Sequence, residues 1–116
     1  MKAIDRVRNA YQARRRKLVV PEWDNLELYF GPVVGEDMES IRHRLKDSDS
    51  LYEQAVLLVI HMAKDKEGKA LFGMGDKRVL MQEAEVKVIN RIAAFIWGST
   101  PMTDAEADKE LEDSPN

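Results

Sequence analysis

Residues 51–63, LYEQAVLLVIHMA, limit what the chain can fold into more than any other stretch. Nine of these thirteen residues are apolar (Leu51, Ala55, Val56, Leu57, Leu58, Val59, Ile60, Met62, Ala63), and from Ala55 to Ile60 there is no polar face. The run is far short of the roughly 20 residues that span a bilayer, so a helix apolar all round must be enclosed by protein. Ser50 with Glu53 three residues on has capping-box spacing and marks its start. The charged turn Asp65-Lys66-Glu67-Gly68-Lys69 marks its end, with Gly68 available for a left-handed backbone position. Short apolar runs are ambiguous between helix and strand, but the cap, the length and the flanking charges select a central helix at about 50–64.

The other elements must cover this helix. Residues 2–16 read as a basic first helix with a thin stripe of Ile4, Val7 and Tyr11, ending on the run Arg14-Arg15-Arg16-Lys17. Leu18-Val19-Val20 and Leu26-Glu27-Leu28-Tyr29-Phe30 are strand formers on either side of Pro21-Glu22-Trp23-Asp24-Asn25, which predicts a β-hairpin at about 17–30 with Trp23 as its anchor. Leu26, Leu28 and Phe30 alternate onto one face, so this ribbon lies on a helical core. A helix over 36–46 has Met38, Ile41 and Leu45 inside, acids in its first turn and bases in its last, matching the helix dipole at both ends.

Beyond the 65–69 turn, Ala70-Leu71-Phe72 reads as extended, with Phe72 inserted under the loop. Asp76 is placed to cap a short helix over 77–83, and a longer one covers 85–97 with Val88, Ile89, Ile92, Phe95 and Ile96 on its apolar face. Gly98 and Pro101 stop it. The expectation is a mainly α (α+β) fold, four to five helices around the central one with a small β-hairpin, in a single domain over 1–99. Residues 100–116 are acidic and without apolar periodicity, and read as a mobile tail.

Composition narrows the function classes. A chain of 116 residues can bury roughly two-thirds of its unfolded surface and fold without staples, and it has no cysteine for disulfides. The absence of an apolar signal core and of any membrane-length segment predicts a soluble, unexported protein. The net charge of −3 conceals an asymmetry: residues 1–20 carry seven Lys/Arg against one Asp, or +6, leaving −9 for the rest. Such polarity serves head-to-tail self-association as well as nucleic-acid binding. The acidic remainder argues against the latter.

Catalytic, metal and cofactor sites are not expected. His43 and His61 belong to no HExxH or Cys/His cluster, and His61 reads as a core imidazole bonded to backbone. In Asp47-Ser48-Asp49-Ser50 the EF-hand glycine position falls on Tyr52, which excludes that calcium loop. Gly73-Met74-Gly75-Asp76 lacks the length and the Lys-Ser/Thr of a phosphate loop. The chain therefore reads as a non-enzyme, with Ile4, Val7, Tyr11, Arg14, Arg15 and Arg16 as candidates for self-association or partner contact.

Several motifs in order carry a resemblance: the basic first helix, Val20-Pro21-Glu22-Trp23 and a strand, the Gly35-Glu36 helix start, the apolar central helix, Asp65-Lys66-Glu67-Gly68-Lys69-Ala70-Leu71-Phe72, and Val88-Ile89-Asn90-Arg91-Ile92. Over about residues 2–98 the chain resembles the tail assembly chaperones of long, non-contractile tailed phages, encoded by phages and prophages. Val34 stands where that family usually has Thr before the helix-opening Gly, so a hydroxyl N-cap is lost. The resemblance implies a non-enzymatic, cofactor-free protein of the bacterial host cytoplasm, present during morphogenesis and absent from the finished virion. Its implied partners are the tape-measure protein, which it would coat, and the tail-tube protein, often reached through a frameshift-extended form. It would self-associate and bind no membrane. The other classes left open are a small nucleic-acid-binding module using Arg14–Lys17 and a generic adaptor.

Overall fold

The computed structural model describes residues 1–45 and 50–98. Among them the chain forms five helices and a two-stranded antiparallel sheet: α1 (Ala3–Ala13), β1 (Arg16–Val20), β2 (Leu26–Phe30), α2 (Gly35–Leu45), α3 (Leu51–Met62), α4 (Lys77–Glu83) and α5 (Val86–Trp97). The expected segment 100–116 and Lys46 lie outside the described residues.

α3 is the centre, as its lack of a polar face requires. Val56, Leu57, Leu58, Val59, Ile60 and Met62 are all buried on it, and it packs against α2, α4 and α5. Each such side chain taken fully from water contributes roughly 1.5–3 kcal/mol, so this one helix supplies a large share of the hydrophobic stabilisation. Ser50 caps it, its Oγ accepting from the Glu53 backbone N–H at 3.1 Å. α5 is its broad partner, with Val88, Ile89, Ile92 and Ile96 buried and Phe95 half-buried. Gly98 ends α5 at φ 71°, a left-handed position that costs glycine nothing sterically.

The hairpin forms with Leu18 opposite Leu28 and Val20 opposite Leu26, and its inner face puts Val20, Leu28 and Phe30 into the core. The turn is a single 3-10 turn, Pro21–Trp23, followed by Asp24 and Asn25 at φ 58° and 60°. Asp and Asn tolerate that region better than other non-glycine residues, which explains their placement. Trp23 packs on the core and meets Phe72 edge-on, with ring centroids 6.1 Å apart. Phe72 thus closes on the hairpin corner.

A further connection was not anticipated. Lys64, just beyond α3, exchanges two 2.9 Å backbone hydrogen bonds with Tyr29 and also pairs with Ala70, so 64 and 70 extend the sheet beyond β2. The turn between them is organised by Asp65, whose carboxylate accepts from the N–H groups of Glu67 and Lys69, and by Gly68 at φ 89°.

The first helix is shorter than residues 2–16. It ends at Ala13, and Arg16 and Lys17 belong to β1. Local pattern favours a cationic last turn, but the hairpin pairs Arg16 with Phe30 and Lys17 with Tyr29, and that tertiary pairing overrides the good helix propensity of Arg and Lys, which a thin apolar stripe does little to reinforce. Asp76 likewise does not cap the 77–83 helix. Its carboxylate instead accepts from the Gly73 N–H at 2.9 Å, closing the preceding 3-10 turn.

Candidate functional site

Two surface features remain after the core is assembled: the N-terminal helix with its basic run, and an apolar cleft between α2, α3 and α5.

α1 has no buried residue. Its stripe is exposed, Ile4 by 54%, Val7 by 62% and Tyr11 by 49%, with Tyr11 lying over Gly31. The stripe residues expected to make contacts are therefore together on one largely exposed face.

The basic residues that follow are not a uniform patch. Arg16 is half-buried between the rings of Phe30 and Phe95, with its guanidinium carbon 5.5 and 4.5 Å from their centroids, and it donates to the Phe95 carbonyl in the last turn of α5. A cation there gives the Phe95 carbonyl a second donor beside the Gly98 N–H and suits the negative end of the helix dipole. Phe30 and Phe95 meet edge-on at 5.5 Å beside it. Arg15 donates to the carbonyls of Asp65 and Lys66 and lies over the Tyr29 ring. Lys17 pairs with Glu27 at 3.1 Å, a contact that raises the lysine pKa and lowers that of the carboxylate. Arg14 is exposed. The run therefore fastens the hairpin to its surroundings more than it forms an open cationic surface.

The cleft has a volume of about 370 Å³. Met38, Ile41 and Leu45 line it from α2, the buried Leu58 from α3 and Ala93 from α5, with Leu51 and Trp97 at its mouth and Arg42 and Gln54 as the polar contributors. Leu51 is 80% and Trp97 51% exposed, so large apolar surface stands open at the mouth. Sequence reasoning assigned Met38, Ile41 and Leu45 to the core without finding this opening. The available signal was Leu51 and Trp97, apolar residues at the extreme ends of their helices, where neighbours cannot cover them.

Polar side chains elsewhere are structural. His61 Nε2 lies 2.8 Å from Asp37 Oδ1, joining α3 to α2, so its partner is a carboxylate and not the backbone expected. Asp37 also accepts from the Val34 N–H through Oδ2 at 2.9 Å, the half of a capping box that runs from the third helical residue back to the residue before the helix. Arg91 donates to both oxygens of Glu22 at 2.9 and 2.6 Å, and this fork holds the Glu22 pKa down to about 2. Lys77 pairs with Glu53 across α4 and α3. No group of three or more His, Cys, Asp or Glu is placed to hold a metal ion among the described residues. No helix among them is long and apolar enough to cross a membrane.

No protein-family model matches the chain. No curated protein matches it in sequence either. The solved structure of the tail assembly chaperone of bacteriophage HK97 superposes with a TM-score of 0.56, covering 78% of this chain and 85% of that one at 20% identity. Over most of both chains, this protein shares the fold of the HK97 tail assembly chaperone.

Proposed function

We infer that this protein is a phage tail assembly chaperone, a non-enzymatic protein that binds and coats the tape-measure protein and helps recruit tail-tube subunits during tail morphogenesis. The observation that carries this reading is the fold correspondence with the HK97 chaperone, which extends over most of both chains. The ordered motifs from Val20-Pro21-Glu22-Trp23 to the 65–72 turn support it independently of the fold. In this reading the protein acts in the host cytoplasm and is absent from the finished virion. The chemistry required is the shielding of a long apolar helical partner, and a small domain with exposed apolar helix surface is suited to it.

The nucleic-acid reading loses support, because Arg15, Arg16 and Lys17 are engaged within the subunit. Co-expression with a tape-measure protein from the same genome tests the chaperone reading. The expected result is a tape-measure protein that is insoluble alone, soluble in the presence of this chain, and co-purified with it. A tape-measure protein indifferent to the chain in both solubility and pull-down would overturn the assignment. Unchanged duplex-DNA binding between low and high salt, or none at all, would dispose of the alternative.

A further inference from the structure

We propose that the cleft between α2, α3 and α5 is covered by the chain's own residues 102–111, an acidic segment that seats Met102, Ala107 and Leu111 against Leu51 and Trp97. The inference stands on the surfaces and sequence of this chain and does not depend on the chaperone reading. Place, pattern and charge converge on it.

The segment begins where the cleft opens. Trp97 lines the cleft, and Gly98, the next residue, ends α5 in a left-handed conformation that turns the chain off the helix axis. Pro101 keeps the helix from resuming. Residues 102–111 are therefore tethered to the mouth by only three residues, 99–101. So short a tether holds them at a local concentration on the order of millimolar, and a contact too weak to retain a free peptide suffices. As a helix they span about 15 Å, close to the length of the eleven- and twelve-residue helices that make the cleft.

The segment has the pattern of a helix with one apolar side. Thr103 and Glu106 have capping-box spacing, Met102 stands just before the cap, and Ala107 occupies the position on which such a residue closes as a hydrophobic staple. Leu111 follows Ala107 by four residues and shares its side. Alone, so little apolar surface does not order a chain. Beside a preformed apolar wall it has something to cover: Leu51, 80% exposed, is the most exposed large apolar residue in any of the described helices, and Trp97 is 51% exposed.

Charge favours the same placement. α2 ends at the cleft with Arg42, His43 and Arg44 in its last turn. Arg42 reaches Glu39 only at 3.5 Å with both side chains largely exposed, and Arg44, beside the lining residue Leu45, is exposed and in no ion pair among the described residues. The segment and the two residues after it carry six acids against Lys109 alone, and Asp104 and Glu110 flank its apolar side. A partner helix that enters the cleft must first displace this cover.

The chain has no cysteine, so a nitroxide on the single thiol of full-length Lys109→Cys reports where the segment lies. Position 109 is opposite the apolar side, which keeps the label out of the cleft. In amide NMR spectra of dilute protein, compared with the reduced label, the signals of Ile41, Leu51 and Gln54 are expected to be lost and those of the 65–69 turn, at the other end of α3, to survive. Adding Leu111→Asp to the labelled chain should restore the lost signals while the rest of the spectrum, and hence the fold, stays as it was. Surviving cleft signals in Lys109→Cys, or a loss that Leu111→Asp leaves unchanged, would overturn the proposal. So would loss of the cleft signals of isotope-labelled parent mixed with spin-labelled, isotope-free Lys109→Cys, which would place the segment on a second copy.

Discussion

α1 and α3 are nearly equal in length, eleven and twelve residues, and occupy opposite extremes of environment. α3 has six residues buried and is enclosed by three other helices, while α1 has none buried. Helix length does not separate the two, and the Ser50 cap that α3 has and α1 lacks is worth only about 1 kcal/mol. The number of apolar residues per turn does: α3 has no polar face in its middle, and α1 has one apolar residue every three or four. The first must be surrounded for the chain to fold at all, whereas the second can remain at the surface until something covers it. Interior stability is thus concentrated in α3 and not in α1.

Replacing Leu58 by Asp attacks the enclosed helix and has the largest expected effect. An unpaired carboxylate at a site 1% exposed costs several kcal/mol, comparable with the roughly 5–15 kcal/mol stability of a small domain. No cooperative unfolding transition should survive in urea. A soluble variant with a normal melt would show that α3 is not the centre.

Arg16→Ala tests the link between the enclosed and exposed regions. It removes the cation between Phe30 and Phe95 and leaves the Phe95 carbonyl without that donor. The expected loss is about 2 kcal/mol in urea denaturation. A loss no larger than that of Arg14→Ala would mean that Arg16 is only a surface cation.

The Glu22–Arg91 fork makes a smaller contribution that depends on pH. The folded-state pKa of Glu22 is about 2, below its ordinary 4.5, so its stabilisation is complete above about 4.5 and is lost as pH falls through about 2. The pair is partly open to solvent, which limits its size. Glu22→Gln should therefore lower stability modestly at neutral pH and approach the parent at the acid end. A difference from the parent that stays constant between pH 6 and pH 2 would remove the ionic part of the explanation.

Val7→Asp is the counterpart of the first substitution and has the smallest expected effect, within about 0.5 kcal/mol in the monomer. The same chemical change, apolar to Asp in the middle of a helix, should then unfold the protein in α3 and leave α1 almost unaffected. Unfolding by Val7→Asp would erase the contrast.

Legibility followed the range of the interactions. The central helix, the hairpin, Gly68, Gly98 and the apolar face of α5 are written in local pattern, and each lies where periodicity or turn chemistry puts it. The misplaced features depend on partners distant in sequence. Arg14–Lys17 read as the end of a helix because nothing nearby reveals Phe95, whose carbonyl takes up Arg16 from 79 residues away. His61 read as bonded to backbone because Asp37 lies on a different helix, 24 residues earlier. The cleft was illegible for a related reason. Its walls have the same apolar periodicity as a filled core, and only the spacing of three helices shows that space remains between them.

The pairing of Tyr29 with Lys64 has one more consequence, for the order in which amides meet solvent. Lys64 lies two residues past the end of α3, and its N–H and carbonyl are both held by Tyr29 in β2. Opening those two bonds requires either the hairpin to leave the core or the end of the buried helix to unwind. In deuterium exchange the Tyr29 and Lys64 amides should therefore be among the slow class with the middle of α3, although both residues are only half-buried. The amides of α1, which buries no residue, should exchange at the other end of the scale.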